Sequence, residues 1–416
     1  MKQDKTKGFS QITFYYQGGK QTMKKTYAKQ NAGTRLWETQ KAQGTGLCVG
    51  ADPHFEWDGE LNEEFYARFS DPGVKKLFED ILKICNKREI LLGARPISAE
   101  RAAILCSGVV GYFIRVINAA WKCGIRIYKP QAAFYERFNP LGTIIESMIC
   151  RTIDSLAIRD QAMHFKILDA KRGDLDLTQE PYYAAYLTSP EEDTCPGIPG
   201  QCGFDVMTTH TWMGENSIMP GLKYFQKGNG IIVVTRTSNP SGTTFQDAYV
   251  APNMDVELSA KQEPYRYTQA LHDEISEILG RGPMAHEVML FLTEKFSREN
   301  ELNVDGVSPL FSVMGSTVKM LSSFRILRPY AVPLIPGFGG QKGPMKNVMP
   351  LYIQDGPYRG HIGVESSSRN HNYPCQKKFG GSGDVDNLDF EMERVINQFE
   401  KEEREAYAEA GLWYPF

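Results

Sequence analysis

A chain of 416 residues, 41% of them hydrophobic and 23% charged, can bury a sizeable core and reads as globular. Its formal net charge of -3 supplies no global basic field, so neither nucleic acid nor an anionic membrane surface is an expected partner. No run of about 18 apolar residues long enough to cross a bilayer is expected.

The N-terminal stretch MKQDKTKGFSQITFYYQGGK carries basic residues without the apolar centre of a secretory signal. Residues 1–33 read as a polar extension of weak order. From residue 34 onward the chain reads as a single domain, opening with a short helix over TRLWETQKAQ. Eight short apolar runs follow: GLCVGA (46–51), IRIYK (125–129), FKILDA (165–170), DVMTT (205–209), IIVVT (231–235), LFSVM (310–314), AVPLI (331–335) and HIGVE (361–365). Each is rich in β-branched or aromatic residues and is bounded by Gly, Pro or charge, the pattern of a buried strand. The segments between them show helical spacing, as in YTQALHDEISEIL and EVMLFLTEKF. Alternation of strands and helices predicts a parallel sheet, and eight strands predict a closed (β/α)8 TIM barrel. Surplus length falls in insertions near 86–108, 180–203 and 240–265. It also falls in a long final helix, with Leu388, Met392, Val395 and Phe399 at core-facing spacing.

The eight cysteines are scattered and form no C-x-x-C pair, which disfavours a zinc ribbon. They read as free thiols of a cytoplasmic protein, with a Cys195–Cys202 bridge as the lesser alternative. His54 and His210 read as hydrogen-bonded structural histidines, and no metal site is expected. HEVML (286–290) begins like H-E-x-x-H but ends in leucine. Phe134, Tyr135 and Phe138 read as packing residues. PGFGGQKG (336–343) lacks both the dinucleotide-binding and the Walker glycine patterns.

Barrels do their chemistry at the C-terminal ends of the strands. Here those ends carry Asp52 after the first strand, Lys129 after the second, and Asp169, Lys171 and Asp174 in DAKRGD after the third. A carboxylate between two ammonium groups is held ionised, and both ammonium groups stay protonated. Such a fixed array suits a developing carbanion, which Lys171 is able to protonate. Taken alone, DAKRGD is better explained as a strand-to-helix turn with Asp174 capping the helix; the other strand ends change the balance. GGQKG and SSSRN close the seventh and eighth strands with backbone N–H groups, Gln341 and Arg369, the chemistry of a phosphate grip.

In this order, LCVGADPH, YKPQAAFYERF, DAKRGDLDLT, TSNPSG, PGFGGQKG and SSSR resemble the orotidine 5′-phosphate decarboxylase family in its long bacterial form. The resemblance runs from about Gly44 to the C-terminal helix. It implies decarboxylation of orotidine 5′-phosphate to UMP, in pyrimidine biosynthesis, without metal or organic cofactor. It further implies that Lys129, Asp169, Lys171 and Asp174 form the catalytic charge network and that Asp52 holds a ribose hydroxyl. Ser238 would bond the pyrimidine, and Gln341 and Arg369 the 5′-phosphate. Asp174 and Thr178 would reach across the interface of a homodimer. HTWMG (210–214), Lys342 and Asn370 depart from the family's usual residues. Two alternatives stand beside this reading. One is a Mg2+-dependent sugar-phosphate enzyme sharing D-x-K-x-x-D, and the other is a non-catalytic nucleotide-binding barrel.

Overall fold

The structure is a computed structural model. It describes residues 30–55, 62–91, 98–252, 256–304, 306–318, 321–338, 345–353, 355–360 and 363–416, with the strands Gln11–Tyr16 and Gly19–Lys24. These last two pair antiparallel within the N-terminal extension.

Eight strands close into a barrel: β1 Leu47–Ala51, β2 Ile127–Pro130, β3 Phe165–Arg172, β4 Val206–Thr209, β5 Gly230–Arg236, β6 Leu310–Met314, β7 Pro333–Pro336 and β8 Val364–Ser367. Neighbours in the barrel are neighbours in the chain, and β8 closes on β1 through Ser366 opposite Cys48. Every pairing is parallel. The predicted (β/α)8 barrel is therefore the observed fold. All eight apolar runs became strands, and the last begins three residues later than its run.

Cys48, Ile127, Ile167, Val206, Ile232, Phe311, Leu334 and Val364, one from each strand, belong to a single apolar cluster. Leu36 and Trp37 of the helix Ala32–Gln43 join it and close the N-terminal end of the barrel. Asn31 caps that helix by accepting from the Thr34 amide, and Gly44, at φ 81°, ends it. Side chains alternate along a strand. Two residues beyond Ile127, Ile167 and Val206 come Lys129, Asp169 and Thr208, so the interior turns from apolar to charged toward the C-terminal ends.

The final helix, Leu388–Glu409, buries Leu388, Met392, Val395 and Phe399 as its spacing predicts. Its Glu403 is buried and accepts from the Gly46 amide at 3.0 Å and the Thr45 hydroxyl at 2.7 Å, which ties it to the entry of β1. The segment read as an insertion near 180–203 holds the end of the helix Asp176–Leu187 and a hairpin of Asp193–Cys195 with Ile198–Pro199. The segment read as an insertion near 240–265 begins and ends in short 3-10 turns.

One expectation is corrected. The helix Ala99–Lys122, which starts inside the segment read as the 86–108 insertion, is long and apolar enough to cross a membrane by length and composition. Arg115 interrupts its apolar residues, which hid the run. In the fold 61% of its most apolar stretch is buried, and Val109, Phe113, Val116 and Ala120 sit in the core. It packs as a core helix of the barrel's outer layer.

Candidate active site

At the C-terminal end of the barrel, β1, β2 and β3 bring Asp52, Lys129, Asp169 and Lys171 together. Lys129 Nζ lies 3.6 Å from Asp169 Oδ2, and Lys171 Nζ lies 2.5 Å from Asp169 Oδ1. Lys129 is 5% exposed, whereas half of the Lys171 side chain faces solvent. Burial works against the Lys129 ammonium, but Asp169 and Asp52 outweigh it, and its pKa lies above the ordinary lysine value. Burial likewise disfavours the Asp169 carboxylate, yet Lys129 and Lys171 hold its pKa below the usual range. Both groups of the pair are thus charged at neutral pH. Asp52 differs: burial raises its pKa, and Lys129 and a Ser368 hydrogen bond only partly oppose that. Its Oδ1 is buried without a hydrogen-bond partner.

The backbone is shaped to allow this. Lys171 has φ 50°, left-handed for a non-glycine residue, a strained conformation typical of functional sites. The β3–β4 register shifts between Leu168 and Arg172 at the same point. Thr208 holds the bend: its hydroxyl accepts from the Lys171 amide at 2.8 Å and donates to Asp169 Oδ1 at 2.9 Å. Two residues on, a Cβ on Gly173 would lie 2.5 Å from the His210 ring, so only glycine fits there. Gly50 serves similarly at β1, where a Cβ would lie 2.2 Å from the Ser368 hydroxyl. The loop after β1 is fixed by Tyr373, whose hydroxyl accepts from the His54 amide at 2.7 Å and donates to the Asp52 carbonyl at 3.1 Å.

Asp174 stands apart from this cluster. It lies two residues beyond β3, half-buried, and its carboxylate accepts from the Leu175 amide at 2.7 Å. The following helix is capped at Leu175 without a side-chain bond, so Asp174 is not its N-cap. Thr178 is exposed in the first turn of that helix. Ser238 is half-buried after β5, its carbonyl accepting from the Thr317 hydroxyl at 2.7 Å. The preceding Arg236 forms a two-point pair with Asp247 at 2.7 and 2.8 Å, which anchors the loop. Arg369 opens the short helix Arg369–Asn372 after β8 and is exposed. Gln341 and Lys342 lie outside the described residues. All eight cysteines are free; Cys195 is exposed and Cys202 buried. His54 meets the Phe134 ring edge-on at 4.4 Å.

Thr208 was missed by the sequence reading. Its signal was present: it sits two residues past an interior valine on β4, on the same interior level as Lys129 and Asp169.

Residues 111–265 match the family described as "Orotidine 5'-phosphate decarboxylase / HUMPS family". The resemblance expected from the motifs is present. Among curated relatives named orotidine 5′-phosphate decarboxylase, the protein of Rhodopirellula baltica is 28% identical over 222 residues, which cover 53% of this chain and 60% of that protein. The Clostridium novyi protein is 28% identical over 262 residues, 62% of this chain and 72% of that one. The chain therefore spans less than two thirds of the Rhodopirellula relative. In solved structures, a putative orotidine 5′-phosphate decarboxylase from Streptomyces avermitilis is 21% identical with a TM-score of 0.57, covering 95% of this chain and 99% of that one. A putative orotidine-monophosphate decarboxylase from Toxoplasma gondii is 18% identical with a TM-score of 0.57, covering 92% and 99%. At these identities the likeness of the two structures speaks to the fold alone.

Proposed function

We propose that this chain is a carboxy-lyase that converts orotidine 5′-phosphate to UMP. The observation that carries the reading is the Lys129–Asp169–Lys171 network, preformed beside Asp52 at the mouth of the barrel. The C6–carboxylate bond breaks, CO2 leaves neutral, and the electron pair stays on C6. The Lys171 ammonium gives C6 its proton and regains one from solvent. The two ammonium groups are in place before the carbanion forms, so no reorganisation is needed at the moment of reaction. Asp52 would take a ribose hydroxyl with its unpartnered oxygen, Ser238 the pyrimidine, and Arg369 with Gln341 the phosphate.

Asp174 enters as a group donated to a second subunit. Its carboxylate turns onto its own backbone rather than toward Lys171 in the single chain. Around it the top face exposes Leu175, Leu177 at 92% and Trp212 at 67%. The Asn216 amide donates to Asp176 at 2.8 Å, and Trp212 meets Phe245 at 5.1 Å, so the loops after β3, β4 and β5 form one surface. An apolar patch beside a functional acid favours a covered interface. A two-fold dimer then builds two equivalent composite sites.

Addition of the protein to orotidine 5′-phosphate should abolish the orotidylate absorbance and yield UMP, with or without a chelator. Unchanged absorbance with folded protein refutes the reading, and chelator-sensitive turnover of a sugar phosphate in its place favours the Mg2+-dependent alternative. Refolding an equal mixture of Lys171→Ala and Asp174→Ala chains tests the shared site. About half the dimers are mixed, so roughly a quarter of all sites are intact. Mixed dimers without activity assign Asp174 to its own barrel.

A further inference from the structure

A cavity lies on the flank of the barrel, outside the charge network. It has a volume of about 260 Å³ and is bounded by the Ala132–Glu136 helix, the Gly142–Asp160 helix, the Asp176–Leu187 helix and the hairpin of residues 193–199. Glu146 forms part of its wall. Glu146 is 4% exposed, and its Oε1 is buried without a hydrogen-bond partner. A buried carboxyl left without partner or cation is costly, and native folds rarely keep one without use. Among the described lining residues none is a lysine, arginine or histidine. Glu136, also in the wall, is paired with Arg172. Tyr135 and Tyr186 supply aromatic walls, and Ile198 and Pro199 an apolar rim.

We infer that this cavity is a binding site for a small organic monocation, a guanidinium or alkylammonium compound, held by the Glu146 carboxylate between Tyr135 and Tyr186. A single carboxylate does not make a metal site, whereas aromatic and apolar walls suit an organic cation. The volume is below the range of about 300–1,000 Å³ usual for larger ligands, which limits the guest to a few heavy atoms. The inference is independent of the decarboxylase reading.

It has a proton signature. Burial pushes the empty Glu146 carboxyl up to about 8, with the Cys202 thiol adding to the shift. Binding a cation at pH 7 must therefore expel a proton, and affinity should rise about tenfold between pH 7 and pH 9. The other titratable groups about the site are Cys202, Cys150, Tyr135, Tyr186, the Glu136–Arg172 pair and, behind Cys202, the Lys166–Asp154 pair. Burial raises Cys150, Tyr135 and Tyr186, moving them away from this window. The Cys150 hydrogen bond lowers Cys202, so a Glu146 variant is needed to separate the two.

Methylguanidinium, which stays charged throughout, is the probe, titrated calorimetrically into the full chain at pH 7 and pH 9. The expected result is saturable binding, about tenfold tighter at pH 9, with close to one proton released per ligand at pH 7. Glu146→Gln, of equal size, should abolish it. Ala185→Trp, on the exposed side of the cavity mouth, should weaken it without touching the carboxyl and serves if the first variant fails to fold. Absence of saturable binding to the wild type overturns the inference. So does equal affinity at the two pH values, undiminished binding by Glu146→Gln, or, should that variant not fold, undiminished binding by Ala185→Trp.

Discussion

Strand β3 carries two buried lysine–aspartate pairs, one near each end, and they differ in how completely they are satisfied. At its start, Lys166 Nζ sits 2.7 Å from Asp154 and donates to the Cys202 carbonyl at 2.6 Å. Asp154 also takes His164 at 2.8 Å. The Lys166 amide donates at 2.7 Å to Asp205, which pairs with Arg35. At the other end, Lys129 meets Asp169 at 3.6 Å, beside an Asp52 oxygen with no partner and a half-exposed Lys171. The lysine side chains are 3% and 6% exposed and the aspartate side chains 18% and 15%. Burial therefore does not distinguish them; unfilled hydrogen-bonding capacity does. The closed pair is satisfied within the fold, and the open one keeps hydrogen-bonding capacity that the proposed substrate would fill.

The largest test of the contrast removes Lys171. Lys171→Ala should lower kcat by about 10⁴-fold or more, since it deletes both the proton donor and a preformed charge. Stability should change little, because the side chain is half exposed and Asp169 keeps Lys129 and Thr208. Turnover near that of the wild type would remove Lys171 from the reaction.

The closed pair should answer in the opposite way. Asp154→Ala leaves Lys166 buried beside a carbonyl alone and should cost about 3–5 kcal/mol of stability in denaturant unfolding. In any stable background kcat should be preserved. The pH dependence follows from the sign of the shift. Burial works to raise Asp154, but Lys166 and His164 outweigh it and hold its pKa below the usual range. Its contribution is therefore full above the unfolded value near pH 4 and is lost as pH falls through the folded value. Unfolding curves of wild type and variant should converge in acid, and curves that stay parallel would contradict the assignment.

Arg369→Ala tests the far side of the open end. If it grips the phosphate, kcat/KM should fall by about 2–5 kcal/mol, the range for truncating a buried charge contact. Orotidine without its phosphate should be a poor substrate that the mutation scarcely worsens. Equal loss on both substrates would place Arg369 elsewhere.

The sequence showed the barrel because each strand is a short, wholly buried run, which leaves a strong local signal. It singled out Asp52, Lys129, Asp169 and Lys171, which the fold brings together, because charge at the end of an apolar strand has few structural uses. Arg115 masked the apolar length of the Ala99–Lys122 helix, since a single charge breaks a run without breaking a buried face. The separation of Asp174 from the cluster was hidden for another reason. It depends on β3 running on to Arg172 through a left-handed Lys171, a feature of register that composition does not record. Glu146 was equally silent, because its isolation comes from three helices and a hairpin that meet only in the fold.

The smallest effect falls on the residue that links the open pair to its scaffold. Thr208 is fully buried and satisfies both the Lys171 amide and the Asp169 carboxylate through one hydroxyl. Thr208→Val keeps the shape but strands a backbone donor and removes a donor from a carboxylate. The cost should be about 1–2 kcal/mol in stability and of similar size in kcat, a drop of roughly 5–30-fold. KM should move little, because Thr208 acts through Asp169 and Lys171 rather than on the substrate. Thr208→Ser should recover most of kcat by restoring the hydroxyl, while Thr208→Val should not. If the two variants are equally impaired, packing by the methyl group rather than the hydrogen bonds holds the bend. The open end would then owe its geometry to the same close packing that fixes the rest of the barrel.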